Sequence, residues 1–286
     1  MKPVLKWAGG KRWLVHAAPE LFAVSHARYV EPFVGSGAVY FHFEPQAALL
    51  SDKNVELINL YQAIKDDWRA VQRMLRAHSS RHSDDYYYEV RDQRPRSEAA
   101  RAARFLYLNR TCFNGLYREN RRGEFNVPRG TKDTVLFPDD DFESMAQLLS
   151  GAELFAGDFE RALRNLRSTD LVFIDPPYTV KHNVNGFIRY NEKIFSWADQ
   201  ERLAATIRKK VDSGAKIIVT NANHESVRAL YKDFAEMHVI GRSSVLSGDA
   251  RFRGRTEEAI FLVGMTWSRE VSMRYDKRTN AHNTVS

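Results

Sequence analysis

The sequence predicts an α/β fold with a mostly parallel sheet, an antiparallel hairpin at its edge and a helical insertion. Three observations carry this. Strand-like runs recur at RYVEPF (28–33), AALLSD (47–52), AELFAGD (152–158), DLVFID (170–175) and AKIIVTN (215–221), with helical patterns between several of them. Strand, helix, strand implies parallel pairing. The clearest helix follows Ser196, an N-cap with Asp199 three residues on, continues through Leu203, Ile207 and Val211, and stops at Gly214. Second, EMHVIG (236–241) and EAIFLVGM (258–265) have no helix between them, which predicts an antiparallel hairpin at the sheet edge. Third, the interval 61–148 breaks the alternation. It is helical through DDWRAVQRMLRAH and SEAARAARFLYLN, then becomes YRENRRGEFNVP, where RRG between alternating residues reads as a β-hairpin. The expected organisation is therefore a core from 1–60 and 149–267, an inserted domain at 61–148, and a flexible polar tail at 268–286.

Length and composition suit such a fold. The chain has 286 residues, of which 43% are hydrophobic and 12% aromatic, enough for a real core. No apolar run approaches the roughly 20 residues of a membrane helix. The first residues, MKPVLKWAGGKRWL, lack the apolar stretch of a signal peptide, so the cytosol is expected. A single cysteine, Cys112, forbids an internal disulfide, and the nine histidines show no metal-binding spacing, so no metal is expected.

Net charge is +7, and its distribution is more informative than its size. Between Arg101 and Lys132 stand Arg101, Arg104, Arg110, Arg118, Arg121, Arg122, Arg129 and Lys132 against Glu119 and Glu124, a local balance of +6. Phe105, Tyr107, Phe113, Tyr117 and Phe125 are interleaved with them. Cations among aromatics suit phosphate contacts and base stacking, although the same pattern also describes a solvated basic face over core aromatics.

Three motifs fall at the carboxyl ends of predicted parallel strands, where open α/β sheets bind ligands. In EPFVGSGAVYF (31–41), Gly35 and Gly37 permit a tight turn and close backbone approach, as a nucleotide-like cofactor needs; the third glycine of G-x-G-x-x-G is missing, and glycine pairs also serve ordinary turns. Asp52 ends the next strand, either as an acid for ribose hydroxyls or as a helix N-cap before NVELINLY. The third motif is DPPY (175–178). Its prolines lock φ and remove two N–H donors, so the turn offers a carboxylate and carbonyls, acceptors only. Such a turn wants a group with two N–H bonds, and Tyr178 adds an aromatic face. An exocyclic amine of a nucleobase fits, held by Asp175 and the Pro176 carbonyl so that its nitrogen becomes nucleophilic.

In motif order, LKWAGGKRWL, EPFVGSG, LSDKNVELINLY, FLYLNRTCFNGLYRENRRGEFNVP, GDF and DPPY closely resemble the Dam-type DNA adenine-N6 methyltransferases, of the alpha class of amino-methyltransferases. The resemblance covers most of residues 3–265. It implies a Rossmann-like class I methyltransferase domain that uses S-adenosyl-L-methionine and yields S-adenosyl-L-homocysteine. It further implies a monomer acting on double-stranded DNA through an inserted target-recognition domain. By the same resemblance, Trp7, Ala8, Gly9, Gly10 and Lys11 match the segment that closes over the cofactor. Phe33, Gly35, Ser36 and Gly37 match the cofactor loop, Asp52 the ribose acid, and Asp158 with Phe159 the adenine-holding segment. Asp175, Pro176 and Tyr178 match the catalytic motif. Phe113, Asn114, Leu116, Arg118, Asn126 and Pro128 match the hairpin that reads DNA, with Arg118 placed for bidentate contact to a guanine edge. Arg110 and Arg122 belong to the basic stretch, and Arg251, Arg253 and Arg255, in a segment that fits the family only loosely, are candidate phosphate ligands. Recognition of GATC is implied by the NGLYRENRRGEFNVP segment. Cytosine-C5 methylation would need a Pro-Cys nucleophile, whereas Cys112 follows Thr111. Cytosine-N4 methylation usually has Ser in place of the Asp. An RNA adenine methyltransferase and an inactive DNA-binding regulator remain as alternatives.

Overall fold

The structure is a computed structural model that describes residues 1–115, 117–118, 120, 124–181, 195–243 and 255–267. In chain order its main elements are α1 (Arg12–Ala17), β1 (Arg28–Glu31), α2 (Tyr40–Phe43), β2 (Ala48–Asp52), α3 (Val55–Ser80), α4 (Asp84–Asp92) and α5 (Glu98–Thr111). They continue with α6 (Phe142–Ser150), β3 (Ala152–Ala156), α7 (Phe159–Leu163), β4 (Asp170–Ile174), α8 (Trp197–Arg208), β5 (Lys216–Ala222), α9 (Glu225–Tyr231), β6 (Glu236–Ser243) and β7 (Arg255–Val263). The strands form one seven-stranded sheet in the order β3-β2-β1-β4-β5-β7-β6. All five expected strands and the late hairpin are present, each ending within two residues of its expected limit. Among the described residues no helix is long and apolar enough to cross a membrane.

The chain forms two compact units. One contains residues 1–15 and 34–158, and the expected insertion at 61–148 lies within it. Here β2 and β3 pair in parallel from Ala48 opposite Ala152 to Asp52 opposite Ala156. The long helix α3 begins at its N-cap Asn54, whose side chain accepts from the Leu57 N–H. Leu57, Leu60, Tyr61, Ile64, Val71 and Leu75 are buried along it, and α5 packs beside it. It kinks at Asp67, where φ is −151° and ψ 72°. The Asp67 carboxylate accepts the Ala70 N–H at 2.9 Å, which caps the second segment where the helical ladder is interrupted. Ser83, Ser97 and Asp141 cap α4, α5 and α6 in the same manner.

The other unit contains residues 16–33 and the chain from 159 onward. Its strand β4 lies between β1 and β5, parallel to both, and all five of its residues are buried. That burial is why DLVFI is a continuous apolar run rather than an alternation. Asp170 at its start is fully buried and is held by the Arg28 guanidinium through bonds of 3.0 and 2.7 Å. The capping box of α8 is formed as expected: Ser196 and Asp199 exchange bonds, and Gly214 takes the left-handed conformation at φ 73° after a short 3-10 turn. β7 pairs antiparallel with β5 and with the edge strand β6.

In the first unit His78 stacks on Tyr107 at 5.0 Å, and its Nδ1 lies 2.9 Å from the Tyr86 hydroxyl. Burial, with the charges of Arg81 and Arg104, lowers its pKa to about 4. The unfolded chain takes up the proton that His78 refuses when folded, so folding stability should fall as pH drops from the ordinary histidine value near 6.5 towards 4. Thermal melts across this range should show a smaller loss for His78→Gln than for the wild type, and equal slopes would refute this account.

Candidate active site and nucleic-acid interface

Asp52 organises the glycine loop. Its carboxylate accepts the Gly35 N–H at 3.1 Å and the Asn54 N–H at 2.9 Å, while its backbone oxygen accepts the Gly157 N–H at 2.9 Å. Burial pushes its pKa up, and backbone N–H groups of Asn54, Gly35 and Lys53 oppose that push. The cap of α3 is Asn54, so the alternative role of Asp52 as that cap is removed. Gly35 and Gly37 both have positive φ, 48° and 64°. A Cβ on Gly35 would lie 2.7 Å from Cδ1 of Trp7, so the loop depends on glycine for backbone angle and for space. Trp7 in turn stacks on Tyr117 at 5.8 Å. In the same segment Ala8 and Gly9 are exposed, Gly10 is half-buried, and the Lys11 ammonium is buried and donates to the Gly9 carbonyl at 2.9 Å. Ser36 is buried and Asp158 exposed.

Phe33 is half-buried and stacks on Phe159 at 5.6 Å. Phe159 is itself buried, with the Arg202 guanidinium 4.4 Å over its ring. The Phe159 ring therefore backs Phe33, whose own surface remains partly open.

Directly after β4, the 175–178 turn is held by polar side chains from neighbouring elements. The Thr220 hydroxyl on β5 donates to Asp175 at 2.7 Å, and the Tyr178 hydroxyl donates to Glu258 on β7 at 2.8 Å. The Gln200 amide on α8 donates to the Pro177 carbonyl at 3.0 Å and accepts from Asn221 at 2.9 Å. Two acceptors of the turn, one Asp175 oxygen and the Pro177 carbonyl, are therefore used in holding it. Nearby, the Tyr29 hydroxyl donates to Glu31 at 3.0 Å. Burial, then the neighbouring carboxylates, raise the pKa values of Tyr29 and Tyr178 well above the ordinary phenol, so both stay protonated donors. Sequence reasoning missed Glu31, Gln200, Thr220 and Glu258. The available signal was a polar residue at the end of an apolar strand, as in EPF, IIVTN and EEAIF.

The segment expected to read DNA folds back on itself. The Phe113 N–H donates to the Pro128 carbonyl at 2.9 Å, Asn126 N–H to Arg118 O at 3.2 Å, and Asn120 N–H to Glu124 O at 2.8 Å, the pairing expected of hairpin flanks. Phe113, Asn114, Arg118, Asn126 and Pro128 are all exposed, and Arg118 Nε donates to Asn126 Oδ1 at 3.1 Å. Leu116, Arg122, Arg251 and Arg253 lie outside the described residues; the backbone of Arg255 begins β7 opposite Ser243.

Arg110 requires correction. Its guanidinium is buried and donates to the Val4 and Val135 carbonyls and, through two bonds of 2.6 Å, to Asp140. It is an internal brace rather than a phosphate ligand. Arg101 is likewise paired with Glu56, Arg104 with the carbonyls of Val90 and Arg91, and Arg129 with Asp84 and Asp133. Half of the eight basic residues thus serve the fold, and the local charge of +6 overstates what the surface presents. Cys112 is buried, its backbone bridged to Arg129.

The strand order, with parallel pairs followed by the antiparallel β7 and β6, is that of a class I methyltransferase. The chain belongs to the D12 class of N6 adenine-specific DNA methyltransferases, whose family pattern matches residues 7–245. It is 34% identical to a type II methyltransferase of Lactococcus lactis subsp. cremoris over 269 residues, covering 91% of this chain and 94% of that protein. A type II methyltransferase of Methanocaldococcus jannaschii is 34% identical over 281 residues, with 89% and 96% covered. The DNA adenine methylase of Serratia marcescens is 33% identical over 263 residues, with 90% and 97% covered.

Replacing Gly35 by Ala should destabilise the protein by about 1–3 kcal/mol, because the added Cβ meets positive φ and the Trp7 ring together. Denaturant titration checks this, and an unchanged midpoint would contradict it.

Proposed function

We propose that this chain is a site-specific DNA adenine-N6 methyltransferase that acts as a monomer on duplex DNA, within GATC, using S-adenosyl-L-methionine. The observation that carries the reading is the 175–178 turn: an Asp carboxylate that accepts from Thr220 on β5 and a Tyr whose hydroxyl donates to Glu258 on β7, with prolines between them. The relatives named as DNA adenine methylases support the choice of adenine and of DNA.

The residues fit the cofactor. Gly35 and Gly37, both at positive φ, would let the loop backbone approach it closely, Asp52 would offer a carboxylate at the end of β2, and Phe33 would offer aromatic surface. Trp7, Ala8, Gly9, Gly10 and Lys11 would close over it, Ser36 would support the loop, and Asp158 would hold its adenine. When bound, the cofactor supplies a sulfonium methyl open to nucleophilic displacement, leaving S-adenosyl-L-homocysteine.

The target adenine is flipped out of the duplex, at a cost of a few kcal/mol, and stacks on Tyr178. Asp175 and the Pro176 carbonyl accept the two N–H bonds of N6, which directs the nitrogen lone pair out of the ring system. Asp175 then stabilises the positive charge that develops on nitrogen before the proton leaves. Residues 61–148 serve as the target-recognition domain. Within it Phe113, Asn114, Leu116, Arg118, Asn126 and Pro128 read the site, and Arg118 contacts a guanine edge. Arg122, Arg251, Arg253 and Arg255 contact phosphates.

With methyl-labelled cofactor, label should enter duplex DNA containing GATC; incorporation only into RNA, or none, would overturn the reading. Asp175→Ala should lower kcat on the order of 10²–10³-fold, as removal of a preorganised electrostatic partner does, while DNA binding persists. Wild-type turnover in that variant would remove Asp175 from the chemistry. Arg118→Ala should lose about 1–3 kcal/mol of discrimination at one guanine position, read by turnover on singly substituted sites; unchanged preference would exclude the contact.

A further inference from the structure

Glu258 and Thr220 belong to no motif, yet both occupy buried positions where an apolar residue would be cheaper to fold. Glu258 is 5% exposed and Thr220 fully buried. Glu258 directly precedes the wholly apolar run from Ala259 to Val263. A buried carboxylate is costly unless hydrogen-bonded, and the Tyr178 hydroxyl supplies such a bond at 2.8 Å. The register explains why these two residues meet the turn. Thr220 stands opposite Ile260 and Ala222 opposite Glu258 in the antiparallel pairing of β5 with β7. Side chains alternate along a strand, so Thr220 and Glu258 lie on one face of this pair as diagonal neighbours. Asp175 and Tyr178, three residues apart, meet them there. The four side chains thus form two bonded pairs, Thr220 with Asp175 and Tyr178 with Glu258, joined through the 175–178 turn.

We propose that Thr220 and Glu258 are positioning residues that clamp the two reactive side chains of the turn, Thr220 setting the Asp175 carboxylate and Glu258 setting the far end of the Tyr178 ring. The proposal rests on the reading of 175–178 as the amine-holding turn. Its physical basis is that a tyrosine ring has few internal rotations. The prolines before Tyr178 restrict its backbone approach, and the bond to Glu258 restrains the far end of the ring. A planar base stacked on such a ring is oriented without paying to order it, and orientation is what in-line attack by N6 requires.

The test combines kinetics with an observable independent of turnover. Glu258→Ala should lower kcat by about tenfold to a hundredfold, the scale of a displacement near 1 Å, with little change in cofactor affinity. Glu258→Gln keeps an acceptor oxygen and should stay within about threefold of wild type. Tyr178→Phe removes the same bond from the other side, so adding Glu258→Ala to it should cost less than about twofold more. Thr220→Val, nearly isosteric, should slow turnover about tenfold and Thr220→Ser should restore it, which keeps the proposal falsifiable if Glu258→Ala does not fold. In protein carrying fluorotyrosine, the resonance of residue 178, identified by its loss in Tyr178→Phe, should move in Glu258→Ala and remain near its wild-type position in Glu258→Gln. Multiplying losses in the double variant, or an unmoved resonance with wild-type turnover in Glu258→Ala, would overturn the clamp. A wild-type protein that methylates no duplex DNA would instead sink the parent reading, while the fluorine resonance would still decide whether Glu258 holds the ring.

Discussion

The hydrogen bond from Thr220 to Asp175 allows a fully buried apolar strand to end on a carboxylate, and the geometry of the turn follows from it. A carboxylate at the end of LVFI is partly desolvated, a cost of the order of kcal/mol that such a bond offsets. Two prolines in succession remove backbone donors that could have compensated locally. The compensation comes from elsewhere: the Thr220 hydroxyl for Asp175, the Gln200 amide for the Pro177 carbonyl, and Glu258 for the Tyr178 hydroxyl. Three separate elements, β5, α8 and β7, therefore have to be in register before the turn takes this shape.

Asp52 solves a similar problem at the end of β2. Its carboxylate binds backbone N–H groups on the glycine loop and at the start of α3, while its carbonyl binds Gly157 after β3. A single acid thereby joins a strand end, a loop and a helix start. The glycine loop is packed against Trp7 closely enough that a methyl group would not fit, so loop and aromatic ring constrain each other.

The basic stretch shows how one residue type is divided between two tasks. Arg110, with all its described bonds inside the fold, ties α5 to Val4, Val135 and Asp140, where a planar guanidinium can satisfy several acceptors together. Arg118, only eight residues later, is exposed on a hairpin flank and bonded to Asn126. Composition treats the two alike because formal charge carries no information about burial. What separates them is that Arg110 lies in a helix face turned to the interior, whereas Arg118 lies beyond the glycine at 115, where the chain has left the helix.

Local sequence determined the elements themselves: apolar runs for β4 and β5, the Ser196 and Asp199 capping box for α8, glycines at 35 and 37 for the turn, and motif order for the family. Apart from the motif order, which runs along most of the chain, each is a property of residues within about a dozen positions of one another, and the physics of strand burial, capping and positive φ acts over that range. The tertiary structure decided the rest. It assigned the cap of α3 to Asn54 rather than Asp52, placed Phe159 behind Phe33, took Arg110 out of the surface, and brought Thr220 and Glu258 to the 175–178 turn. The last of these depends on pairing register between segments 45 and 80 residues apart, as the bonds of Thr220 to Asp175 and Tyr178 to Glu258 show. A hydroxyl or carboxylate in an apolar strand announces that it needs a partner, but only the folded sheet says which one it finds.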